Sequence, residues 1–180
     1  MKKISLMAIA ISFVLSSCAN LDLNPLSYGS SENWYHDATE IEMSLNDLWR
    51  ADFFPIDDLD WDDDWMNRNG SNVVTLGTIT SQWSTASGRW TALYKGITRS
   101  QKIIAALEEG SAKGLSDALV KQYLGEAYFM QGFAYGELAT YFGDVVLNKE
   151  AITLDEAYVA KQSPRSEVFK YCYECLDKAA

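Results

Sequence analysis

The feature that most constrains the fold is an apolar series repeating at helical intervals between residues 90 and 143. Leu119, Tyr123, Ala127, Met130, Ala134, Leu138 and Tyr141 step by three and four, which keeps them on one face of a helix for about six turns. Ser116 can cap this helix, Asp117 complements its N-terminal dipole, and Gly143 stops it. Upstream, Trp90, Leu93, Tyr94, Ile97, Ile104 and Leu107 keep a second helix apolar on one side until Glu108-Glu109-Gly110. Residues 110–115 are a short connector, so the two helices are expected to form an antiparallel hairpin. Gly125, Gly132 and Gly136 each cost an isolated helix up to about 1 kcal/mol against Ala. The expected return is the close approach of a neighbouring helix.

The rest of the chain extends this pattern. Thr39-x-x-Glu42 reads as a capping box, and Ile41, Leu45, Leu48 and Trp49 follow at helical spacing to about Arg50. From Phe53 to Ser87 the sequence is rich in Asp, Asn, Gly, Ser and Thr, a loop-like stretch long enough to imply function. Within it, Val73–Thr80 suits a short strand or hairpin arm. A further loop is expected over Asn148–Gln162, and Ser163-Pro164 is expected to open a last helix as N-cap and first helical residue. Cys172 and Cys175 fall on one stripe of that helix with Val168, Leu176 and Ala179, as small buried hydrophobes. They lack a second Cys pair, and His36 is the single histidine, so a four-ligand zinc site has no evident partners. The helical pattern is still running at Ala180, as expected of a fragment. The fold class is mainly α: tetratricopeptide-like helical hairpins with a long loop-rich insertion. The full repeat consensus is absent, and one such unit cannot bury its own face.

The N-terminus carries a different signal. Lys2 and Lys3 precede the apolar run Ile4–Leu15, and Leu15-Ser16-Ser17-Cys18 resembles a bacterial lipobox. The run is too short to span a bilayer and is flanked like a secretion signal. Residues 1–17 are therefore expected to be removed, with Cys18 the site of lipidation. Three acyl chains, at about 0.8 kcal/mol per buried methylene, would make a durable anchor. Residues 18–30 then form a lipidated tether, and 31–180 the folded part. The chain's net charge is −10, and loss of Lys2 and Lys3 makes it more acidic. That balance argues against nucleic acid and anionic lipid as partners, so membrane contact is assigned to the lipid anchor.

Trp61, Trp65 and Trp83 stand in the polar segment among Asp60, Asp62, Asp64, Asn67, Arg68 and Asn69. Sugars present apolar C–H faces ringed by hydroxyls, so flat aromatics beside carboxylates and amides suit them. The candidate ligand contacts are Trp61, Trp65, Trp83, Asp64, Asn67 and Arg68; the competing reading is that the tryptophans anchor the insertion onto the helices. Asp58, Asp60 and Asp62 have the alternate spacing of an EF-hand, but Asp63 replaces its glycine and Asn69 its terminal glutamate. A looser calcium site in 57–64 is the cofactor option left open, and no other cofactor or metal is expected. A glycoside hydrolase would need two carboxylates at set separations across a sugar, with one pKa raised by an apolar pocket. Nothing in the run supplies that, so no catalytic residue is assigned.

The order of motifs resembles the SusD/RagB family of surface lipoproteins from Bacteroidota nutrient-uptake systems. The likeness begins with Cys18 and the Leu21-Asp22-Leu23-Asn24-Pro25 tether. It continues through Trp90, Leu93-Tyr94, Gly96-Ile97 and Arg99, then Gly125-Glu126-Ala127, Phe129 and Phe133-Ala134-Tyr135. Leu138, Tyr141, Phe142 and Gly143-Asp144-Val145 follow, and Pro164-Arg165-Ser166-Glu167-Val168-Phe169, Leu176 and Ala179 complete it. Gln101, Val146 and Cys175 depart from the usual Asn, Pro and Asp. The resemblance implies helical repeat pairs carrying a larger ligand-binding region, of which this chain is the N-terminal part. It implies non-catalytic capture of oligosaccharide, or of another nutrient such as peptide, at the outer membrane facing the cell exterior. It also implies delivery to a SusC-like, TonB-dependent outer-membrane transporter. The alternative is a helical-repeat lipoprotein acting as a protein-interaction scaffold.

Overall fold

A computed structural model describes residues 34–50, Phe53 and 77–180. Every element below lies in the unit Tyr35–Ala180, one of two into which the chain divides. Helix α1 (Ala38–Leu48) opens at Asp37, whose carboxylate accepts the Glu40 amide at 2.9 Å. Glu40 in turn accepts the His36 amide at 2.7 Å. The cap is therefore reciprocal as expected, but two residues earlier than Thr39 and Glu42, because Asp serves an N-cap as well as Thr does. Ile41, Leu45 and Leu48 are buried; Trp49 is the C-cap residue and stays 52% exposed.

Helix α2 (Ser84–Glu108) starts six residues before Trp90, since its first turn, Ser-Thr-Ala-Ser-Gly, carries no apolar stripe to announce it. Residues 77–80, the described end of the proposed arm Val73–Thr80, are not in a strand; 73–76 lie outside the described residues. Helix α3 (Asp117–Phe142) is capped by Ser116, which accepts the Leu119 amide at 3.3 Å, and ends at Gly143 with φ +76°. That left-handed φ is one that a side chain would strain. Arg89 meets Glu137 at 3.2 Å and Tyr128 meets Glu108 at 2.9 Å. The start of α2 thus lies beside the end of α3, so the hairpin is antiparallel.

The expected loop after α3 contains more order than its sequence suggested. Strand β1 (Val145–Val146) pairs antiparallel with β2 (Gln162–Ser163), Val145 opposite Ser163 and Val146 opposite Gln162. Between them lies a one-and-a-half-turn helix, α4 (Leu154–Val159), closed by a Thr153/Glu156 capping box. The last helix, α5 (Arg165–Ala179), has Pro164 as its N-cap residue and not as its first helical one, because Ser163 is used in β2. The Arg165 amide is held by the Asp144 carboxylate at 2.8 Å.

Helix α3 is buried on two sides. Its apolar stripe of Tyr123, Ala127, Met130, Ala134 and Leu138 is fully inside, as predicted; Tyr141, at the stripe's end, is 38% exposed. Met130 Sδ lies 3.4 Å from where a Cβ on Gly96 of α2 would sit. The glycines serve the other neighbour, α5. A Cβ on Gly132 would fall 2.8 Å from Leu176 and 3.1 Å from the Cys172 carbonyl, and one on Gly136 would fall 3.2 Å from Cys172 Sγ. The close approach inferred from their positions is thus to α5. Val168, Tyr171, Cys172 and Cys175 complete this layer, each buried, with both cysteines free. At about 1.5–3 kcal/mol for each large side chain buried, these two contact layers dominate the fold's stability.

Candidate functional site

Of the residues proposed from sequence, Cys18, Trp61, Trp65, Asp64, Asn67, Arg68 and the acidic run 57–64 lie outside the described residues. Trp83 lies within them. It is half-buried at the N-cap of α2, where its amide donates to the Thr80 carbonyl at 3.0 Å and its side chain caps nothing.

A second aromatic cluster was not assigned from sequence. Trp49, at the end of α1, stacks on Phe129 of α3 with ring centres 5.8 Å apart and planes 17° off parallel. Phe129 stacks in turn on Phe133 at 6.3 Å and 19°. Trp49 and Phe129 wall an open groove of about 920 Å³ with Leu124, Gly125 and Tyr128, and its far side is formed by Lys178 and Ala179 of α5. The polar rim is organised. Lys178 donates to the Tyr128 hydroxyl at 3.3 Å, and that hydroxyl donates to Glu108 at 2.9 Å. Burial and the Glu108 carboxylate raise the Tyr128 pKa, so the hydroxyl stays a donor at neutral pH. Gln122 donates to Glu126 at 3.3 Å, leaving amide and carboxylate atoms beside the rings. A flat indole held by stacking, with carboxylates and an amide beside it, is the chemistry sought in residues 61–68. The available signal was that Ile41, Leu45 and Leu48 already complete the α1 stripe. Trp49 adjoins it, about 100° round the helix from Leu48.

A smaller depression of about 530 Å³ follows the outer face of α2, lined by Trp90, Thr91, Tyr94, Lys95, Thr98, Arg99 and Lys102. Its base is rigid. Trp90 meets Phe142 edge-on at 5.0 Å, and the Tyr94 hydroxyl donates to the Val146 carbonyl at 2.7 Å. Burial pushes the Tyr94 pKa up to about 12, so the hydroxyl remains protonated.

Polar groups in the interior pin the start of the excursion between β1 and β2. Gln101 donates to the Asn148 carbonyl at 2.7 Å, and Tyr135 bonds both the carbonyl and the amide of Asn148, at 2.6 and 2.9 Å. Tyr171 donates to Gln131 at 2.9 Å, and Cys175 Sγ lies 3.7 Å from the same Gln131 oxygen. Burial raises both thiol pKa values, the opposite of what a reactive cysteine needs. Two of the departures, Gln101 and Cys175, therefore work in packing. Among the described residues no group of three His, Cys, Asp or Glu side chains is placed to hold a metal ion. No described helix is long and apolar enough to cross a membrane.

The fold has close counterparts. It superposes on a SusD homolog from Bacteroides thetaiotaomicron with a TM-score of 0.65 and 21% identity, covering 83% of this chain and 31% of that one. A SusD superfamily protein from Bacteroides vulgatus gives 0.66 and 18%, over 81% and 34%. A SusD-like protein from Bacteroides fragilis gives 0.67 and 17%, over 83% and 30%. The chain thus spans about a third of the length of the solved structures it matches. No curated protein matches the sequence significantly. A family model does match residues 30–178, that of the SusD-like proteins described as starch-binding and associating with the outer membrane. With that match over most of the chain's length, the chain belongs to the SusD-like family.

Proposed function

We propose that this chain is the N-terminal helical part of a surface lipoprotein that captures oligosaccharide and passes it to a SusC-like, TonB-dependent transporter. The observation that carries the reading is the family match over residues 30–178, to proteins described as starch-binding. Residues 1–17 act as the export signal, Cys18 carries the lipid, and 18–30 form the tether to the outer membrane. Capture is non-covalent. The Trp49–Phe129 groove offers a stacking platform for a pyranose face, and Trp61, Trp65, Trp83, Asp64, Asn67 and Arg68 remain proposed contacts. Calcium in 57–64 is an optional addition to that loop.

The test uses the full-length gene product in its host. Labelling with a palmitate analogue should be lost in Cys18→Ala, and extracellular protease should reach the wild type on intact cells. Migration through a starch-containing native gel should be retarded, and mild detergent should co-purify the transporter. Labelled but unretarded protein, with no transporter attached, would contradict capture and delivery.

One observation favours a second reading, a scaffold whose ligand is a protein. Leu154, Tyr158 and Val159 of α4 are 69%, 79% and 74% exposed, and α4 buries no residue. A Leu154→Ser/Tyr158→Ser variant that loses a protein partner while the protein shows no affinity for glycans would favour it.

A further inference from the structure

The outer face of α2 is chemically unlike the rest of the chain. The sequence holds 25 acidic residues and a net charge of −10, yet none lies between Asp64 and Glu108. Lys95, Arg99 and Lys102 sit in that gap at positions i, i+4 and i+7, on one face of α2 and spread over about 10 Å. They share the 530 Å³ depression with Trp90 and Tyr94. Arg99 is already committed: it pairs with Asp47 and lies over the Phe53 ring at 5.2 Å. Lys95 and Lys102 are exposed and have no carboxylate partner among the described residues. The aromatic wall is fixed in advance, Trp90 by Phe142 and Tyr94 by the Val146 carbonyl. Both threonine hydroxyls donate to their own helix, Thr91 to Ser87 at 2.8 Å and Thr98 to Tyr94 at 3.0 Å. The two lysines are thus the uncommitted charges of the depression.

We propose that this face binds an oligosaccharide bearing anionic substituents, either uronate carboxylates or sulfate esters. The assignment rests on the glycan-capture reading and adds the charge class of the ligand. The indole and phenol rings take the apolar face of a sugar, and the two ammonium groups take its anions. Lysine is a mobile point charge without the planar fork of arginine, so it accepts either anion. Charges more than about 10 Å away are screened at ordinary salt, so a short acidic glycan meets the local cations. A long polyanion meets the repulsion of the whole acidic chain.

The test is calorimetric titration of the full-length gene product with four probes of similar length. These are an oligogalacturonide, a sulfated oligosaccharide, a neutral malto-oligosaccharide and a single-stranded oligonucleotide. At least one acidic glycan should bind about tenfold more tightly than the neutral one, as two exposed ion pairs allow. Which acidic probe does so identifies the anion. The preference should shrink as salt rises and vanish in Lys95→Gln/Lys102→Gln, whose helical content should equal that of the wild type. No preference for acid, a preference that survives the double substitution, or equal binding of the oligonucleotide would overturn the assignment. If the neutral probe still binds in those cases, glycan capture stands; if no sugar binds at all, both readings fall.

Discussion

The seam between α3 and α5 and the excursion between β1 and β2 are joined directly in sequence and share almost nothing in packing. Along the seam, Gly132 has no room for a methyl group, and Tyr171, Cys172 and Cys175 are buried against α3. Along the excursion every residue from Lys149 to Val159 is exposed. The excursion is held at its start by hydrogen bonds from Gln101, Tyr135 and Tyr171, and within itself by the Thr153/Glu156 box. Stability therefore resides in the helix contacts, and the side chains of the excursion are left to face outward. A framework of this kind can vary its outer faces at little cost to folding.

The strongest way to break the contrast is to fill the seam. Gly132→Val pushes against Leu176 and the Cys172 carbonyl and should lower unfolding free energy by about 3 kcal/mol, as overpacking does. Gly88→Ala, in α2 with nothing within 4 Å of the new methyl, should raise it by about 0.5–1 kcal/mol. Urea denaturation of both variants reads the difference; equal losses would show that the seam is not special.

Alkaline pH attacks the buried hydroxyls and thiols of the seam, and Tyr94 of α2, next. Burial raises the pKa of Tyr135, Tyr171, Cys172 and Cys175, and pushes that of Tyr94 up to about 12. Each is neutral when protonated. The unfolded chain releases these protons near their ordinary values, about 8.5 for Cys and 10 for Tyr, while the folded chain keeps them. Above those values the unfolded state binds fewer protons, so stability falls as pH rises. The urea midpoint should drop steadily from about pH 9 to 12; a flat midpoint would contradict the burial of these groups.

A smaller effect comes from one hydroxyl. Tyr171→Phe leaves the buried Gln131 oxygen with only the weak Cys175 thiol as donor and should cost about 1 kcal/mol. The smallest effect belongs to the excursion. Leu154→Ser/Tyr158→Ser removes two exposed apolar side chains and should change stability by less than about 0.5 kcal/mol. A large loss there would mean that the excursion is part of the core.

The same contrast decides what could be read from sequence. The α3 stripe was legible because its side chains repeat at helical intervals and are buried against α2. The glycines were legible as a contact surface, though not which helix they touch. The first turn of α2 was not, since Ser84 to Gly88 bury no apolar side chain and leave no periodicity. Helix α4 escaped for the same reason, although Thr153-x-x-Glu156 is a capping signature that stood in plain view. Trp49 follows the α1 stripe at helical spacing, but its stacking on Phe129, 80 residues away, is a contact that local patterning does not reach. Gln101 was visible as a departure from the family, but its bond to Asn148 needs the tertiary fold.

The most direct test of glycan capture on an open face of this framework is calorimetric titration of the full-length gene product with a malto-oligosaccharide. Wild type and Trp49→Ala are compared. Trp49 is half exposed at the end of α1, so its removal should leave the fold intact. Saturable binding that weakens at least about tenfold in Trp49→Ala, a loss of about 1.4 kcal/mol, and is unchanged in Leu154→Ser/Tyr158→Ser is the predicted result. Binding that is absent in the wild type, or unaltered by loss of Trp49, would contradict it.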